Sequence, residues 1–341
     1  MARRGHAYPQ VEPTAGALVD AVVATAPRNA TASAALRVVR RRDARMVALG
    51  GETWALREDL ARAEALGLGH LAARGLTRPL PVVDARAPEL RVRRLLAGGA
   101  PLVVVRGLGA AVRPPAPRAV SLRARFVRDV APDVLQLLGA AGRAAAGRGA
   151  RAFAVGGLVR DTLAGRDGAR RDLDVVVEGD GLGVARELAR ELAGSLVEHE
   201  RFLTASVTLA TASGGVSRID IATARAERYE RPGALPHVLP AGIEEDLRRR
   251  DFTVNAMAIE LASGALELLD PLGGASDLRQ RRLRVLHPLS FVEDPTRIVR
   301  AARYGTRLGL RPDAWTRRCQ ALALGLGPYP ALSGQDRKSV V

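Results

Sequence analysis

The stretch Gly156-Gly157-Leu158-Val159-Arg160-Asp161, followed by Asp172-Leu173-Asp174, is the most informative part of this chain. The glycine pair comes directly after the apolar run Phe153-Ala154-Val155, which is typical of a strand that runs into a tight backbone turn. Asp172 and Asp174 stand two residues apart before a second apolar run, so a strand would place both carboxylates on one face. Like charges held together repel each other unless a divalent cation neutralises them, and such oxygen ligands suit Mg²⁺.

The glycine pair and the two carboxylates together indicate chemistry on a nucleoside triphosphate. A backbone without side chains lets phosphate oxygens come close, and a triphosphate held with a metal implies phosphoryl or nucleotidyl transfer. Taken singly, each feature has a plainer explanation: many strand-to-helix turns use Gly-Gly, and Asp172 and Asp174 would also suit a solvated hairpin edge. Arg160, one helical turn after the pair, makes the combination specific.

The composition excludes several classes of protein. The 341 residues are 47% hydrophobic, which is enough to bury the cores of two or three domains. The single cysteine, Cys319, excludes a disulfide framework and predicts a cytoplasmic protein. No apolar run approaches the roughly 18 residues of a membrane span, and Asp20 interrupts the apolar stretch near the N-terminus, which argues against a signal peptide.

The net charge of +16 is concentrated in the first half of the chain. Residues 1–150 carry 24 arginines against 11 acids, whereas residues 151–341 carry 28 basic residues against 25 acids. A basic half of this kind allows binding to RNA. Because Lys338 is the only lysine, a GC-rich coding sequence explains the excess of arginine about as well.

The first 118 residues contain two similar units of predicted strands and helices. The predicted elements are, in order, a helix from residue 31, a strand over 46–49, a helix through 60–66, a strand over 81–83, a helix over 90–96 and a strand over 102–105. Two units of this size resemble a tandem CBS pair. Such domains often bind nucleotides through a Ser or Thr three residues before an Asp. Here Leu56 stands three residues before Asp59, so we expect a packing or dimerisation role instead.

The segment Arg249-Arg250-Asp251-Phe252-Thr253-Val254-Asn255-Ala256 is a second candidate for the site. Its plainer explanation is an exposed basic face. Arg250 is the residue that we expect to hold a triphosphate, because a guanidinium group grips phosphate through two hydrogen bonds.

A third candidate begins at Glu293-Asp294-Pro295-Thr296-Arg297, where the proline suits the first turn of a helix. Arg297, Arg300 and Arg303 recur at intervals of three residues and share one broad helical face. Asp294 lies three residues before Arg297, so an acid and a guanidinium group would sit side by side and read the edge of a base. The plainer explanation is a surface helix held by salt bridges.

These three blocks, with Asp270-Pro271 and Gly273 between them, resemble class II tRNA nucleotidyltransferases and bacterial poly(A) polymerases in order and spacing. The resemblance covers about residues 150–318. The CBS-like pair upstream is similar to that of the family's long subgroup. The resemblance implies an α/β (α+β) fold, in which a degenerate CBS-like pair precedes a polymerase-β-like head with a small mixed sheet and the start of a helical neck.

The resemblance implies a template-independent enzyme that adds C, A or both from CTP and ATP to the 3′ end of tRNA or another RNA. Such CCA addition or repair releases pyrophosphate and uses Mg²⁺ as cofactor. Alternatives with the same chemistry are a poly(A) polymerase and an A-only or CC-only adding enzyme. An alternative of another class is a CBS-type nucleotide-sensing or dimerisation module with an inactive head.

The resemblance also implies a role for individual residues. Grouped by role, these are the catalytic metal ligands Asp172 and Asp174, the nucleotide contacts Gly156, Gly157 and Arg160, the triphosphate clamp Arg250, the base-reading pair Asp294 and Arg297, and the completing arginines Arg300 and Arg303. Asp220, on a predicted strand, would assist the metal site. The Pro- and Gly-containing segment 227–243 matches the family's mobile loop, which closes on substrate.

The expected domain boundaries follow from these assignments. They are 1–118 for the CBS-like pair, 119–148 for a connecting helix, 149–287 for the head, 288–335 for the start of the neck and 336–341 for a non-native tail. We expect a homodimer through the CBS-like pair and no contact with a membrane. In the family, a helical body and tail follow the neck, so we expect the natural protein to be longer.

Overall fold

The computed structural model describes most of the chain between residues 14 and 327. The described residues are 14–106, 108, 110–112, 120–166, 172–210, 216–262, 264 and 266–327. Residues 113–118, at the end of the predicted CBS-like pair, and the predicted tail over 336–341 lie outside them. Within these ranges no helix has the length and apolar character that a membrane crossing requires.

The N-terminal part of the described chain forms a six-stranded sheet. Its elements are β1 (Ala21–Thr25), α1 (Ala32–Arg41), β2 (Met46–Ala48), β3 (Trp54–Leu56), α2 (Arg57–Ala65), β4 (Val82–Asp84), α3 (Glu89–Ala97), β5 (Val103–Arg106) and β6 (Ala110–Val112). The strand order is β3-β2-β1-β6-β5-β4. Helices α1 and α3 each connect two parallel strands, β1 to β2 and β4 to β5, and an antiparallel strand then follows.

The two halves of this sheet repeat the same arrangement of strands and helix, as the two similar units in the sequence predict. Thr31 caps α1 by accepting a hydrogen bond from the backbone of Ala34, and the turn after β2 uses Gly50 and Gly51 at positive φ. Strands β1, β3 and β6 were not predicted, because each is short and has no clear apolar alternation. The interpretation as a CBS-like pair stays a prediction.

The buried carboxylate of Asp59 is not available to a ligand. Asp59 is 1% exposed, and its two oxygens accept hydrogen bonds from Nε and Nη2 of Arg78 at 2.5 and 2.6 Å. This arrangement agrees with the expectation that the N-terminal unit has a packing role.

The head is built on an eight-stranded mixed sheet in the described part of the chain. Its strand order is β10-β11-β12-β9-β8-β15-β16-β7, and only β12 and β9 pair in parallel. The elements are β7 (Val120–Ser121), α4 (Arg123–Asp129), α5 (Pro132–Gly147), β8 (Arg151–Val155), α6 (Gly157–Leu163), β9 (Asp172–Glu178), α7 (Gly181–Glu191), β10 (Ser195–His199), β11 (Thr204–Ala210), β12 (Val216–Thr223), β13 (Arg225–Arg228), β14 (His237–Pro240), α8 (Ile243–Arg248), β15 (Ala258–Glu260), β16 (Glu267–Leu269) and α9 (Gly274–Arg279).

Alternation along the central strands separates a fully packed face from a face that carries the candidate site. On β9, Leu173 and Val175 belong to the core beneath α5 and α7. Val176 lies on the opposite face, in a smaller core with Ile243 and Leu247 of α8. Asp174 is on the same face as Val176, where the sheet is not covered.

Two segments of the head differ from the sequence-based expectations. The connecting helix expected over residues 119–148 is two helices, because Pro132 cannot continue α4 and instead occupies the first turn of α5. In the second block the apolar residues Phe252, Val254 and Ala256 alternate as in a strand. The structure instead has a 3₁₀ turn over Thr253–Asn255, and β15 begins only at Ala258.

The neck shares one apolar core with the N-terminal unit. Its elements are β17 (Arg282–Leu283), α10 (Ser290–Glu293), α11 (Thr296–Leu308), β18 (Arg311–Pro312) and α12 (Ala314–Leu326). Leu36 of α1 and Leu60 of α2 are buried in the same cluster as Phe291 of α10 and Trp315 of α12. The N-terminal unit is therefore packed directly on the helices that carry part of the candidate site.

Candidate active site

The turn between β8 and α6 brings the backbone of Gly156 against two charged side chains. Gly156 has φ +66°, a conformation that favours glycine. A β-carbon at this position would lie 3.3 Å from Oδ2 of Asp174 and 3.6 Å from Nη1 of Arg250. The first and second sequence blocks thus meet at this glycine, and α6 starts at the next residue, Gly157.

The strand register places a second carboxylate beside Asp174. Asp220 of β12 pairs with Asp174 of the parallel strand β9, and the two residues lie on the same face of the sheet. Asp220 already accepts hydrogen bonds from Ser206 and from Nε of Arg218, the latter at 2.8 Å. Asp172 is at the start of β9, but its side chain lies outside the described part of the structure.

The donor set on this face fits a hard divalent cation. Asp174 is exposed at the rim of the glycine turn, and carboxylate oxygens of this kind are the ligands that Mg²⁺ prefers. The described residues contain no group of three or more His, Cys, Asp or Glu that would hold a metal ion. A site here would therefore need Asp172, or oxygens from a bound triphosphate, in addition to Asp174.

A buried carboxylate fixes the arginines of the second block. Asp246 is 0% exposed and bridges Arg249, at 2.7 Å, and Arg250, at 2.9 Å. Burial opposes ionisation of Asp246, but Arg250 and Arg249 outweigh it and hold its pKa below the usual range. Arg249 also donates to Glu227 of β13 at 2.7 Å. Arg250 is thereby held with its Nη1 towards Gly156.

Arg160 is buried at the floor of the site. Its side chain is 3% exposed and pairs with both oxygens of Asp161, at 2.8 and 3.1 Å. Nη1 donates to Oδ1 of Asn255 at 2.6 Å, and the guanidinium group lies 5.4 Å from the ring centre of Tyr304. Arg160 thus connects the first block to the second and to the neck.

The second and third blocks are joined by two further contacts. Arg300 of α11 donates from Nε and Nη2 to Oδ2 of Asp251, at 2.9 and 2.7 Å. Arg297 donates from Nη2 to the backbone carbonyl of Arg249 at 2.9 Å and from Nη1 to Oγ of Ser290 at 2.7 Å. Burial opposes ionisation of Asp251, but Arg300 and Asn255 bring its pKa below the usual range.

Asp294 and Arg297 lie side by side, as their spacing predicts. Oδ2 of Asp294 is 3.5 Å from Nε of Arg297. Oδ1 accepts from the backbone and hydroxyl of Thr296, which fixes the carboxylate at the start of α11. The Asp294 side chain is 33% exposed and that of Arg297 is 5% exposed, so the carboxylate is the more accessible half of the pair.

The remaining predicted residues have different surroundings. Arg303 is exposed and forms no hydrogen bond or ion pair with any residue that the structure describes. The predicted mobile loop is a hairpin of β13 and β14, and the backbone of Gly233 at its tip donates to the carbonyl of Val292 in α10. Mobility of this loop stays a prediction.

One contact reaches the site from the N-terminal unit. Nη1 of Arg62, on α2, donates to Oε1 of Glu293 at 2.7 Å. The Glu293 side chain is 4% exposed and directly precedes Asp294. Nε2 of His287 lies 3.3 Å from Oε2 of Glu293. Burial opposes ionisation of Glu293, but His287 and Arg62 bring its pKa to about 2.

Sequence analysis did not single out Asp246, Asn255 or Glu293 as site residues. Asp246 had a signal, since it stands three and four residues before two arginines and would face both on a helix. Asn255 and Glu293 are within recognised blocks, but their partners are 95 and 231 residues away. Only the fold shows these contacts.

Comparison with known proteins agrees with this geometry. Residues 152–284 match the model of the poly(A) polymerase head domain. This range contains the first two blocks of the candidate site. The third block lies downstream of it.

Curated relatives extend the similarity. An A-adding tRNA nucleotidyltransferase of Aquifex aeolicus is 44% identical over 178 residues, which are 52% of this chain and 21% of the relative. A CC-adding tRNA nucleotidyltransferase of Deinococcus radiodurans is 48% identical over 162 residues, which are 46% of this chain and 41% of the relative. The chain thus spans less than half the length of either relative.

Solved structures of CCA-adding enzymes share the fold. An apo form matches with a TM-score of 0.59 and 39% identity, over 65% of this chain and 52% of that chain. A complex of the Thermotoga maritima enzyme with tRNA matches over 65% of this chain and 49% of that chain, with a TM-score of 0.55 and 37% identity.

Proposed function

We propose that this chain, whose head belongs to the class II tRNA nucleotidyltransferase family, transfers nucleotides from CTP, ATP or both to the 3′ end of tRNA. The observation that carries the proposal is the meeting of Gly156, Asp174 and Arg250 at one turn. A backbone without a side chain, a carboxylate and a guanidinium group at that point supply the three elements that a metal-bound triphosphate needs. The A-adding and CC-adding relatives support the choice of RNA as acceptor.

The reaction would run as an in-line displacement. The 3′ oxygen of the RNA attacks the α-phosphorus of the nucleotide and forms a P–O bond, while the bond to the β-phosphate oxygen breaks and pyrophosphate leaves. Asp172 and Asp174 would hold Mg²⁺, which would lower the pKa of the attacking hydroxyl and stabilise charge on the leaving oxygens.

The arginines of the second block would hold the triphosphate. Asp246 accepts hydrogen bonds from both Arg249 and Arg250, so the position of Arg250 is fixed before substrate binds. A guanidinium group on a buried carboxylate support grips phosphate at a fixed place. Nη1 of Arg250, the nitrogen nearest Gly156, would then meet the phosphates at the glycine turn.

The third block would select the base. Asp294 accepts hydrogen bonds from base amino groups, and Arg297 donates to ring nitrogens and carbonyls. Hydrogen bonds fix both side chains: Asp294 accepts one from Thr296, and Arg297 donates one to Ser290. Arg300, held by Asp251, would flank the base. Arg303 is exposed, and it would contact the nucleotide only after its side chain changes conformation.

The pair of Asp294 and Arg297 does not distinguish CCA addition from the alternatives. Addition of A alone, addition of CC alone and poly(A) synthesis use the same chemistry, and both A-adding and CC-adding enzymes are among the relatives. The alternative of another class is a sensing or dimerisation module with an inactive head. The close contacts that join all three blocks argue against decay of the head. A homodimer through the N-terminal unit stays a proposal.

The experiment supplies the purified chain with tRNA ending before, within and after CCA, each with CTP, ATP, GTP or UTP singly. A CCA-adding enzyme adds C to tRNA that ends before CCA or after its first C, and adds A to tRNA that ends in CC. An A-only enzyme acts only on tRNA ending in CC, a CC-only enzyme does not add A, and a poly(A) polymerase extends every acceptor with ATP. Absence of Mg²⁺-dependent nucleotide binding and of any incorporation would favour the sensing module.

A further inference from the structure

A cleft rich in arginine opens beside the candidate active site. It has a volume of about 580 Å³ and lies between the end of α6, the end of α9 and the C-terminal end of α11. Six of its fifteen lining residues are arginines, and Asp161 is the single acid among them. The arginines are Arg125, Arg160, Arg166, Arg279, Arg281 and Arg307.

The abundance of arginine in the whole chain does not explain this cleft. The chain has 52 basic residues in 341, or roughly one in seven, whereas two in five of the lining residues are arginines. Over the whole chain the basic residues face 36 acids. In the lining of the cleft, six arginines stand against one acid. The cleft therefore concentrates positive charge well beyond the average of the sequence.

Arg307 lies 6.0 Å from the ring centre of Tyr304, and three other arginines have polar partners around the cleft. Arg160 pairs with Asp161. Arg125 lies 3.9 Å from Asp129, and its Nη1 donates to the carbonyl of Leu163 at 3.4 Å. Arg166 donates to the carbonyls of residues 307 and 308, which are the last carbonyls of α11. These contacts make the wall of the cleft rigid and leave its net charge positive.

Arg279 and Arg281 provide charge that has no partner elsewhere in the described structure. Both side chains are exposed, and neither forms a hydrogen bond or ion pair with a described residue. Arg281 has φ +52°, a left-handed conformation that is strained for a residue with a side chain. The carbonyl of Arg281 accepts from the backbone of Arg311 in β18, so the turn is held in place from behind.

We propose that this cleft binds the phosphate backbone of the RNA strand whose 3′ end is extended, an inference that rests on the proposed function. Helix α6 joins the two places: it begins at Gly157 in the active site, and Leu163 at its other end lines the cleft. Six residues of helix span about 9 Å. A strand with its 3′ end at Asp174 that ran along α6 would place an upstream phosphate at the cleft that Arg279 and Arg281 line.

The test replaces both cleft arginines, as Arg279→Gln with Arg281→Gln, in the whole chain. The matched control is Arg91→Gln with Arg94→Gln on α3, where both residues are also exposed and without a described partner. The two variants have the same net charge. Binding of fluorescent tRNA that lacks its terminal CCA is measured between 50 and roughly 300 mM salt, and Mg²⁺-dependent CTP binding is measured beside it.

We expect the cleft variant to bind RNA about tenfold more weakly at low salt, with a salt slope smaller by about 1.5, because each phosphate contact contributes roughly 0.7 to that slope. CTP binding is unchanged, and Arg279→Lys with Arg281→Lys restores most of the RNA affinity. The proposal is wrong if the control variant loses as much affinity as the cleft variant. It is also wrong if the cleft variant loses only pyrophosphate binding, which would make the cleft a small-phosphate site.

The readout separates this proposal from the proposed function. RNA binding needs no catalysis, so loss of binding in the cleft variant supports the cleft even if the wild-type chain adds no nucleotide. Normal RNA affinity in the cleft variant of an active enzyme refutes the cleft and leaves the proposed function intact.

Discussion

The contact between Arg62 and Glu293 gives the sharpest prediction of stability. It joins α2 of the N-terminal unit to the corner that carries Asp294, and the Glu293 side chain is 4% exposed. Burial lowers the pKa of His287, the other neighbour of this carboxylate, to about 4, so His287 is neutral at pH 7. Arg62→Ala therefore removes the charged neighbour that compensates this buried carboxylate at pH 7.

The magnitude follows from the exposure of the two partners. Removal of one partner of a fully buried ion pair costs about 3–5 kcal/mol. Arg62 keeps 33% of its side-chain surface, so water screens part of the interaction, and we expect a loss of about 2 kcal/mol. Since 1 kcal/mol corresponds to roughly 2 °C in a chain of this size, the melting temperature should fall by about 4 °C.

The assay is thermal and urea-induced unfolding of the wild type, Arg62→Ala and Arg57→Ala. Arg57 is on the same helix but pairs with Asp43, whose side chain is 94% exposed, so we expect less than about 0.5 kcal/mol there. Arg62→Ala should also weaken discrimination between CTP and UTP, because α10 carries Glu293 directly before Asp294. Equal stability of the two variants at pH 7 would refute the reasoning.

The other predictions concern the glycine turn, the division of labour in the site and pH. Gly156→Ala should cost roughly 1–2 kcal/mol of stability, because of its positive φ, and should lower Mg²⁺-dependent CTP affinity in a binding titration; a variant with wild-type values would contradict the geometry. Arg250→Ala should weaken the binding of all four nucleoside triphosphates alike, whereas Asp294→Ala should mainly weaken base discrimination in single-nucleotide incorporation. If both variants gave the same profile, separate roles for the two residues would be wrong. The pKa of His287 is lowered from 6.5 to about 4 by burial and by Arg62. As the pH falls, the His287 imidazole is therefore protonated in the unfolded chain before it is protonated in the folded protein. Its contribution to stability is complete above pH 6.5 and is lost as the pH falls towards 4; urea midpoints should show this decline, and His287→Gln should flatten it.

The local features of the site could be predicted because they depend on short spacings. Asp294 and Arg297 lie three residues apart on one helix, and Asp174 is on the strand that the apolar pattern indicates. The turn at Gly156 has the positive φ that a glycine after a strand allows. For each of these the period of a helix or a strand decides where the side chain lies.

The supporting contacts could not be predicted, because they depend on how distant segments pack. Arg62 and Glu293 are 231 residues apart, and nothing in either segment marks the other as its partner. The pairing of β6 with β1 has the same character, since the two strands belong to different halves of the sheet and neither segment marks the other as its partner. The left-handed conformation of Arg281 likewise arises from packing against β18 and has no glycine or asparagine to signal it.

Asp174→Asn tests the central claim most directly, because it keeps the shape of the side chain and removes the charge that would hold Mg²⁺. The measurement is pyrophosphate release with tRNA, CTP and ATP at a range of Mg²⁺ concentrations, for the wild type and the variant at equal thermal stability. We expect Mg²⁺-dependent release by the wild type and less than about a hundredth of that rate in the variant. Release by Asp174→Asn above roughly a tenth of the wild-type rate would contradict the assignment of Asp174 as a metal ligand.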